Sequence, residues 1–238
     1  MKTLTIRLTS PMQSYGNEAS FNRRTSWDYP SKSAVIGMIA AAMGYQRNDK
    51  RIVQLNKLNF AVRVDQPGQI MTDFQIVEWD QKAGKRQLSY REYLQDAVFI
   101  VALGSEDDQL IDNIEFALKR PYFPLFLGRR ANVPAGVLNL KSFPDEGPID
   151  VLKHLQWQAS TWYQKRLRRK SEVPVDIVAD ADLLHNVRTL LVKDRVKSFD
   201  QRNRQYGFRK TGDKTIVLTN PHAQKANPET GHDIFGAV

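Results

Sequence analysis

Lys119–Arg130 (KRPYFPLFLGRR) carries the side-chain types that bind unpaired nucleotides. Basic residues flank its aromatic ones, and together they are Lys119, Arg120, Tyr122, Phe123, Phe126, Arg129 and Arg130. Aromatic rings stack on bases and basic groups contact phosphates, so this pattern indicates a surface for single-stranded nucleic acid. A second interpretation is a proline-stiffened loop that buries its rings in the core and leaves its arginines in solvent. Gly128 favours a loop whose backbone approaches a ligand closely.

Two stretches near the N-terminus have a similar composition. Ser10–Asn17 (SPMQSYGN) is turn-rich and contains Met12, Gln13 and Tyr15; Tyr15 could stack on a base and Gln13 could hydrogen-bond to it. A plain connecting loop is the alternative. Phe21–Tyr29 (FNRRTSWDY) again mixes aromatic residues with two arginines and is predicted to be a flexible arm.

A buried helix follows these stretches. Ser33–Gly44 (SAVIGMIAAAMG) is apolar nearly all round, with Ser31 or Ser33 as N-cap and Gly44 just past its end. Lys32 and Ser33 lie at the helix start, where backbone N–H groups and the helix dipole favour phosphate. The helix body is predicted to be core, and its first turn is a candidate phosphate site.

The C-terminal part contains two more basic clusters. Pro148–Arg169 is predicted to be one helix, and its end, Gln164–Lys170 (QKRLRRK), holds five basic residues in seven. The helix dipole explains part of this run, so it is either a solvated face or an RNA or protein contact. Val192–Lys210 places seven basic residues around Phe199, Tyr206 and Phe208, and Asn203-Arg204 with Tyr206-Gly207 predicts an exposed loop.

The remaining pattern predicts an α+β fold. Strands are expected at residues 3–8, 58–65, 69–78, 97–103 and near 136–140, with a second helix at residues 107–118. Gly84, flanked by basic residues, is typical of the tip of a projecting β-hairpin. Without that hairpin, the order is the βαββαβ of a ferredoxin-like (RRM-like) domain. We expect this domain at residues 1–143, with a hairpin thumb at about 74–93, and a smaller basic α+β region at 144–238 that ends in a mobile tail.

Charge and composition narrow the class of protein. The chain has 238 residues, a formal net charge of +9 and a pI near 9.7, which favours a polyanion such as nucleic acid as partner. It has no cysteine, so disulfides and thiolate metal sites are excluded. The sequence shows neither a signal-peptide pattern nor a run of 18 apolar residues, so we expect a soluble cytoplasmic protein without membrane contact.

Four stretches resemble one known family in their order and spacing: Ser10–Gly16, Tyr29–Gly44, Tyr90–Leu103 (YREYLQDAVFIVAL) and Ala117–Arg130. They are similar to the CasD subunits of type I-E CRISPR Cascade complexes over about residues 1–140. The resemblance implies a subunit that holds the 5′ handle of the CRISPR RNA and caps the backbone filament in antiviral defence. Its implied partners are this RNA, the backbone subunit CasC and the large subunit CasA, with target DNA reached only through the complex.

The resemblance also implies RNA-binding residues. Arg91 matches the arginine at the base of the thumb, and Phe126 stands where a tyrosine is common in the family, so stacking is kept and a hydroxyl is lost. The full set is Met12, Gln13, Tyr15, Lys32, Ser33, Arg91, Phe126, Arg129 and Arg130.

The sequence favours a binder over an enzyme. None of the four histidines pairs with another at metal-ligand spacing, known catalytic motifs are missing, and the sequence indicates no cofactor. We therefore expect a non-catalytic subunit. The rival is a metal-independent endoribonuclease that processes CRISPR repeat RNA with His154 or His185 and a nearby Lys or Tyr. A third possibility is a general basic structural protein.

Overall fold

The computed structural model describes residues 1–17, 22–80 and 82–224. It is a mixed α+β structure dominated by antiparallel sheets. The elements are β1 (Lys2–Thr9), β2 (Met12–Gln13), β3 (Tyr15–Gly16), β4 (Arg23–Arg24), β5 (Ser26–Trp27), α1 (Lys32–Ala42), α2 (Arg51–Gln54), β6 (Asn59–Gln66), β7 (Gln69–Asp80), β8 (Lys85–Gln95), β9 (Val98–Ser105), α3 (Asp108–Lys119), β10 (Asn139–Phe143), α4 (Pro148–His154), α5 (Thr161–Arg166), β11 (Glu172–Asp180), β12 (Thr189–Ser198) and β13 (Gln205–Thr219).

Seven strands form the main sheet, in the order β10-β1-β9-β6-β11-β13-β12, and all neighbours are antiparallel. The continuous apolar run at residues 97–103 is β9, which lies between β1 and β6 as its two-sided burial requires. Pairing of Ala61, Val62 and Arg63 with β11 joins the C-terminal strands to the first half of the chain.

Helices cover both faces of this sheet. Phe60, Val62, Phe99 and Val101 pack with α1 and α3 on one face. The residues between them in sequence, such as Ala61 and Ile100, pack with α4 on the other face, because side chains alternate along a strand. The five apolar side chains of the third cluster, Trp157, Ala159, Val173, Val175 and Leu218, continue that second face under α5.

The two long helices, α1 and α3, lie where the sequence predicts them, because capping residues fix their ends. The Ser31 hydroxyl caps α1 by accepting from the Ala34 N–H at 3.3 Å, and Gly44 follows the helix with φ +75°. Asp107 caps α3 in the same way through the Leu110 N–H at 3.1 Å. Pro121 follows the end of α3, consistent with its inability to continue a helix.

The strands β7 and β8 form the long hairpin expected around Gly84, which has φ +61° at the tip. β2 and β4 add to β8 on its other side. The prediction of a flexible arm at 21–29 is wrong for residues 22–29, because two short strands in this segment are paired. β4 pairs with β8, and β5 pairs with β3. Phe21 lies outside the described residues.

The single helix predicted at 148–169 is wrong: α4 ends at His154 and α5 begins at Thr161. The buried Arg63 side chain donates to the carbonyls of Leu152 and Leu155, so these carbonyls are held by the sheet. The Gln158 N–H donates to the Asp65 carboxylate at 2.6 Å. These tertiary hydrogen bonds hold the segment between the helices in a non-helical path.

The exposed loop predicted at 203–207 lies only partly in the short connection between β12 and β13, because β13 begins at Gln205 and pairs with β12 in a hairpin. The tail predicted to be mobile lies, from residue 225 onward, outside the described residues. None of the helices in the described part of the chain is long and apolar enough to cross a membrane.

Candidate nucleic-acid interface

A groove of about 1180 Å³ lies on the α1 side of the sheet. Its walls are the small-residue face of α1 with the segment that follows it, the loop after α3, and the β12–β13 hairpin, and residues 14–16, Arg24 and Arg91 complete the lining. Its basic and aromatic lining residues are Arg24, Arg47, Arg91, Arg129, Arg130, Arg204, Tyr15, Tyr45, Phe123, Phe126, Phe199 and Tyr206. Within the described ranges, no Asp or Glu lines it. The groove is therefore a cationic channel with aromatic walls.

One wall is the loop that the sequence singled out. Backbone bonds from Tyr122 N–H to Ala42 O (2.9 Å) and from Phe123 N–H to Ala41 O (3.1 Å) tie it to the end of α1. Phe126 keeps 37% of its surface exposed and faces the groove. The interpretation in which the loop buries its rings in the core does not fit, because Tyr122 and Phe126 are exposed and Phe123 is half-buried; the residue that packs inward is Leu127.

The structure explains the glycine at position 128 by packing within the chain and not by close approach of the backbone to a ligand. The φ of Gly128 is +90°, and a Cβ at this position would overlap the Ser14 carbonyl oxygen. The Ser14 N–H also donates to Leu127 O at 3.2 Å. Gly128 thus lets the loop pack against the Ser10–Asn17 segment, which places that segment at the groove edge.

Arg129 and Arg91 both line the groove. The Arg129 guanidinium lies 4.4 Å from the Tyr93 ring centroid, and its Nη2 donates to Arg24 O at 3.2 Å. Arg129 Nη1 and Arg91 Nε are closed to solvent and have no hydrogen-bond partner in the described part of the chain. The two guanidinium groups therefore add positive charge to the groove, whereas these two atoms themselves are buried.

The opposite wall comes from the second aromatic and basic cluster. Phe199 packs on α1 at Gly37, where a Cβ would lie 3.6 Å from its ring. Phe199 and Tyr206 meet edge to face at 6.2 Å between centroids, and burial raises the pKa of Tyr206. Arg204, in the exposed connection, also lines the groove.

The structure brings together six of the nine residues expected to bind RNA: Tyr15, Ser33, Arg91, Phe126, Arg129 and Arg130 all line the groove. Met12 pairs with Gln95 outside its lining.

Tyr15 and Gln13 lie in the interior. Tyr15 is 2% exposed, its ring packs edge-on against Phe99 at 6.1 Å, and its hydroxyl donates to Gln13 Oε1 at 2.6 Å. Gln13 Nε2 donates to Ala97 O at 2.8 Å. Burial raises the pKa of the Tyr15 phenol. This placement does not fit the expectation that Tyr15 stacks on a base and Gln13 hydrogen-bonds to it.

Lys32 and the helix start do not form an open phosphate site. Lys32 Nζ pairs with Asp180 at 2.9 Å, and the Lys32 backbone N–H donates to Asp194 Oδ2 at 2.9 Å. Arg209 bridges the same two carboxylates at 2.8 and 2.7 Å. The anion expected at this helix terminus is thus supplied by Asp194 of the chain itself. Burial lowers the pKa of Lys32, although Asp180 acts in the opposite direction.

Sequence reasoning missed Arg47 and Tyr45 as groove residues, and Arg24 was placed in a mobile arm. The available signals were a basic residue close behind the C-terminus of α1 and the double arginine next to aromatic residues. Arg204, Tyr206 and Phe199 belong to a cluster that the sequence identified without placing it opposite Phe126.

A family model described as CRISPR-associated protein (Cas_Cas5) matches residues 3–211. The CRISPR system Cascade subunit CasD of Escherichia coli (strain K12) is 30% identical over 148 residues, 54% of this chain and 65% of that protein. The chain therefore spans less than two thirds of that relative. A chain in a solved structure described as a CRISPR RNA-guided surveillance complex superposes with a TM-score of 0.75 at 29% identity, covering 95% of both chains. A second, described as a Cas protein, gives a TM-score of 0.66 at 29% identity over 95% of this chain and 100% of the other.

Proposed function

Because the chain belongs to the Cas5 family of CRISPR-associated proteins, we propose that it is a Cascade subunit that binds the 5′ handle of the CRISPR RNA. Its proposed partners are this RNA, the backbone subunit CasC and the large subunit CasA, with target DNA contacted through the complex. The chain caps the backbone filament, leaves catalysis to other subunits and works in the cytoplasm.

The groove is the observation that carries this proposal. Six arginines and several aromatic rings converge there from separate parts of the sequence, and the described lining contains no carboxylate. Single-stranded RNA is recognised by the same combination, since unpaired bases stack on rings while phosphates contact cations. A groove with this lining suits a short unpaired RNA segment better than a duplex, whose bases are already stacked.

The arrangement suggests how each wall contributes. Phe126 presents an exposed ring for a base, next to Arg130. Arg129 and Arg91 line the groove and supply cations for phosphate or base oxygens. Phe199, Tyr206 and Arg204 hold the RNA from the other side. Tyr15 and Gln13 act from the interior by fixing the loop that carries the groove edge.

The finer description of the fold is part of the same proposal. The strand order β10-β1-β9-β6, with α1 and α3 on one face, supports the assignment of a ferredoxin-like unit. The β7–β8 hairpin is inserted between β6 and β9 and corresponds to the thumb. We place the RNA-binding domain at residues 1–143 and the C-terminal region, which adds strands to the same sheet, at 144–238.

A non-catalytic role fits the surroundings of the candidate acid or base. His154 Nε2 lies 3.2 Å from Glu146, and its ring packs against Phe143. These residues are outside the groove lining, and so is the exposed His185, the other candidate. A general acid or base has to lie within hydrogen-bond reach of the reacting group, and RNA seated in the groove would not bring its backbone to His154.

The test is to titrate the full chain with a labelled RNA carrying the 5′ handle and with a scrambled RNA of equal length, in EDTA. The proposal predicts tighter binding of the handle and no cleavage of either RNA on a denaturing gel. Equal affinities that moderate salt abolishes would indicate a general basic protein. A cut at one fixed position would refute the non-catalytic assignment.

A further inference from the structure

A second strongly basic surface lies at the end of α5. Lys165, Arg166, Arg168, Arg169 and Lys170, here called the α5 basic segment, are all exposed, whereas Leu167 between them packs inward. No ion pair involves these five side chains in the part of the chain that the structure describes. In contrast, the exposed Lys119 and Lys153 each pair with an acid of their own helix, at 2.6 and 2.9 Å.

The basic side chains of the α5 basic segment are not needed to cap the C-terminal end of α5. Asn220 Nδ2 donates to the carbonyls of Gln164 and Leu167 at 3.1 and 3.0 Å, which satisfies the end of α5. The Gln224 N–H donates to Arg168 O at 2.8 Å. Since these groups cap the carbonyls, the basic side chains extend from a fixed backbone and are not used as caps.

The α5 basic segment is separate from the groove. Tyr163 and Leu167 anchor α5 on the sheet face that α4 also covers. The groove lies on the opposite face, with α1. RNA that follows the groove therefore does not reach this surface without passing around the edge of the sheet.

We propose that the α5 basic segment binds the phosphodiester backbone of a nucleic-acid duplex, separately from the RNA in the groove. The segment lies on the outer surface and lines no part of the groove, so it has no opposing wall to hold separated bases. Five cations within six consecutive residues suit the repeated phosphates of a duplex. Binding is independent of base sequence, because phosphate contacts position a duplex without reading it.

The test compares the full wild-type chain with a variant in which all five basic residues are Gln. Affinity for a 20-base-pair DNA duplex and for an RNA duplex of equal length is measured from 50 to 200 mM KCl. Each lost contact lowers the salt slope by about 0.9 for B-DNA, so five contacts lower it by about 4.5. A decrease with either duplex supports the proposal, and the size of the decrease gives the number of phosphate contacts with each.

Two controls separate this surface from the groove and from misfolding. Arg129→Ala with Arg130→Ala should leave the duplex slope unchanged. Arg169→Gln with Lys170→Gln, beyond the end of α5, should lower the slope by about 1.8 and decides the outcome if the fivefold variant does not fold. Unchanged slopes with both duplexes would overturn the proposal. An equal loss of binding to a 20-residue poly-glutamate peptide would overturn its assignment to nucleic acid.

Discussion

Replacing Arg129 and Arg130 together with alanine should weaken RNA binding while the fold is retained. Arg130 is exposed, so its loss changes stability little. Arg129 loses its contact with the Tyr93 ring and one hydrogen bond to Arg24 O. These interactions contribute about 2 kcal/mol together, which is below the stability of an ordinary domain.

The binding loss follows from counterion release. A cation that neutralises one phosphate of a single strand contributes about 0.7 to the slope of log K against log salt. Two such contacts lower the slope by about 1.4, which corresponds to about 25-fold weaker binding at 0.1 M salt relative to 1 M. We expect two contacts, because both arginines line the groove.

The assay is fluorescence anisotropy with a labelled 5′-handle oligoribonucleotide at several KCl concentrations. The matched control is Arg120→Ala with Arg188→Ala, which removes the same net charge from two exposed positions outside the groove lining. Only the groove variant should show the lower slope. An unchanged slope, or the same decrease in both variants, would refute phosphate contact by Arg129 and Arg130.

Three further substitutions test the groove and its support. Phe126→Ala should weaken RNA binding by about 1–3 kcal/mol if its ring stacks on a base, with an unchanged circular dichroism spectrum; a lost fold would assign Phe126 to the core. Gly128→Ala should lower the melting temperature more than Gly136→Ala, because Gly136 has φ +79° but open space around its Cβ and carries only the strain of about 1–2 kcal/mol. Equal melting temperatures would contradict the close approach to the Ser10–Asn17 segment. Asp194→Ala should destabilise the chain by about 3–5 kcal/mol in urea unfolding, since it leaves the buried Lys32 and Arg209 with the single carboxylate of Asp180 and removes the acceptor of three buried N–H groups. The exposed Asp213→Ala should change stability by about 0.5 kcal/mol or less, and similar losses in both would argue against the buried ion network.

Elements governed by local signals could be predicted from the sequence. The cap at Ser31, the positive φ at Gly44 and the tip at Gly84 depend on residues within one turn of chain. The break between α4 and α5 could not, because Arg63 and Asp65, about 90 residues earlier, hold the intervening backbone. Neither residue shows from its neighbours in sequence that it is buried.

In the candidate site, too, some features could be predicted from the local sequence and others could not. The aromatic residue Phe126 and the adjacent arginines could be identified from composition, but the exposure of the Phe126 ring could not. The inward direction of Tyr15 depends on strand pairing with Trp27 and on the space beside Phe99. The acids that neutralise Lys32 come from strands far along the chain, Asp180 from β11 and Asp194 from β12. Side-chain direction and charge pairing thus required the tertiary structure.

The most direct test of the central claim is purification of the tagged chain from its native host, followed by sequencing of the RNA that co-purifies. The proposed function predicts short RNAs with one common 5′ end, together with protein partners that include a subunit present in several copies. RNA that is absent, or that has heterogeneous ends, would contradict recognition of a CRISPR RNA handle.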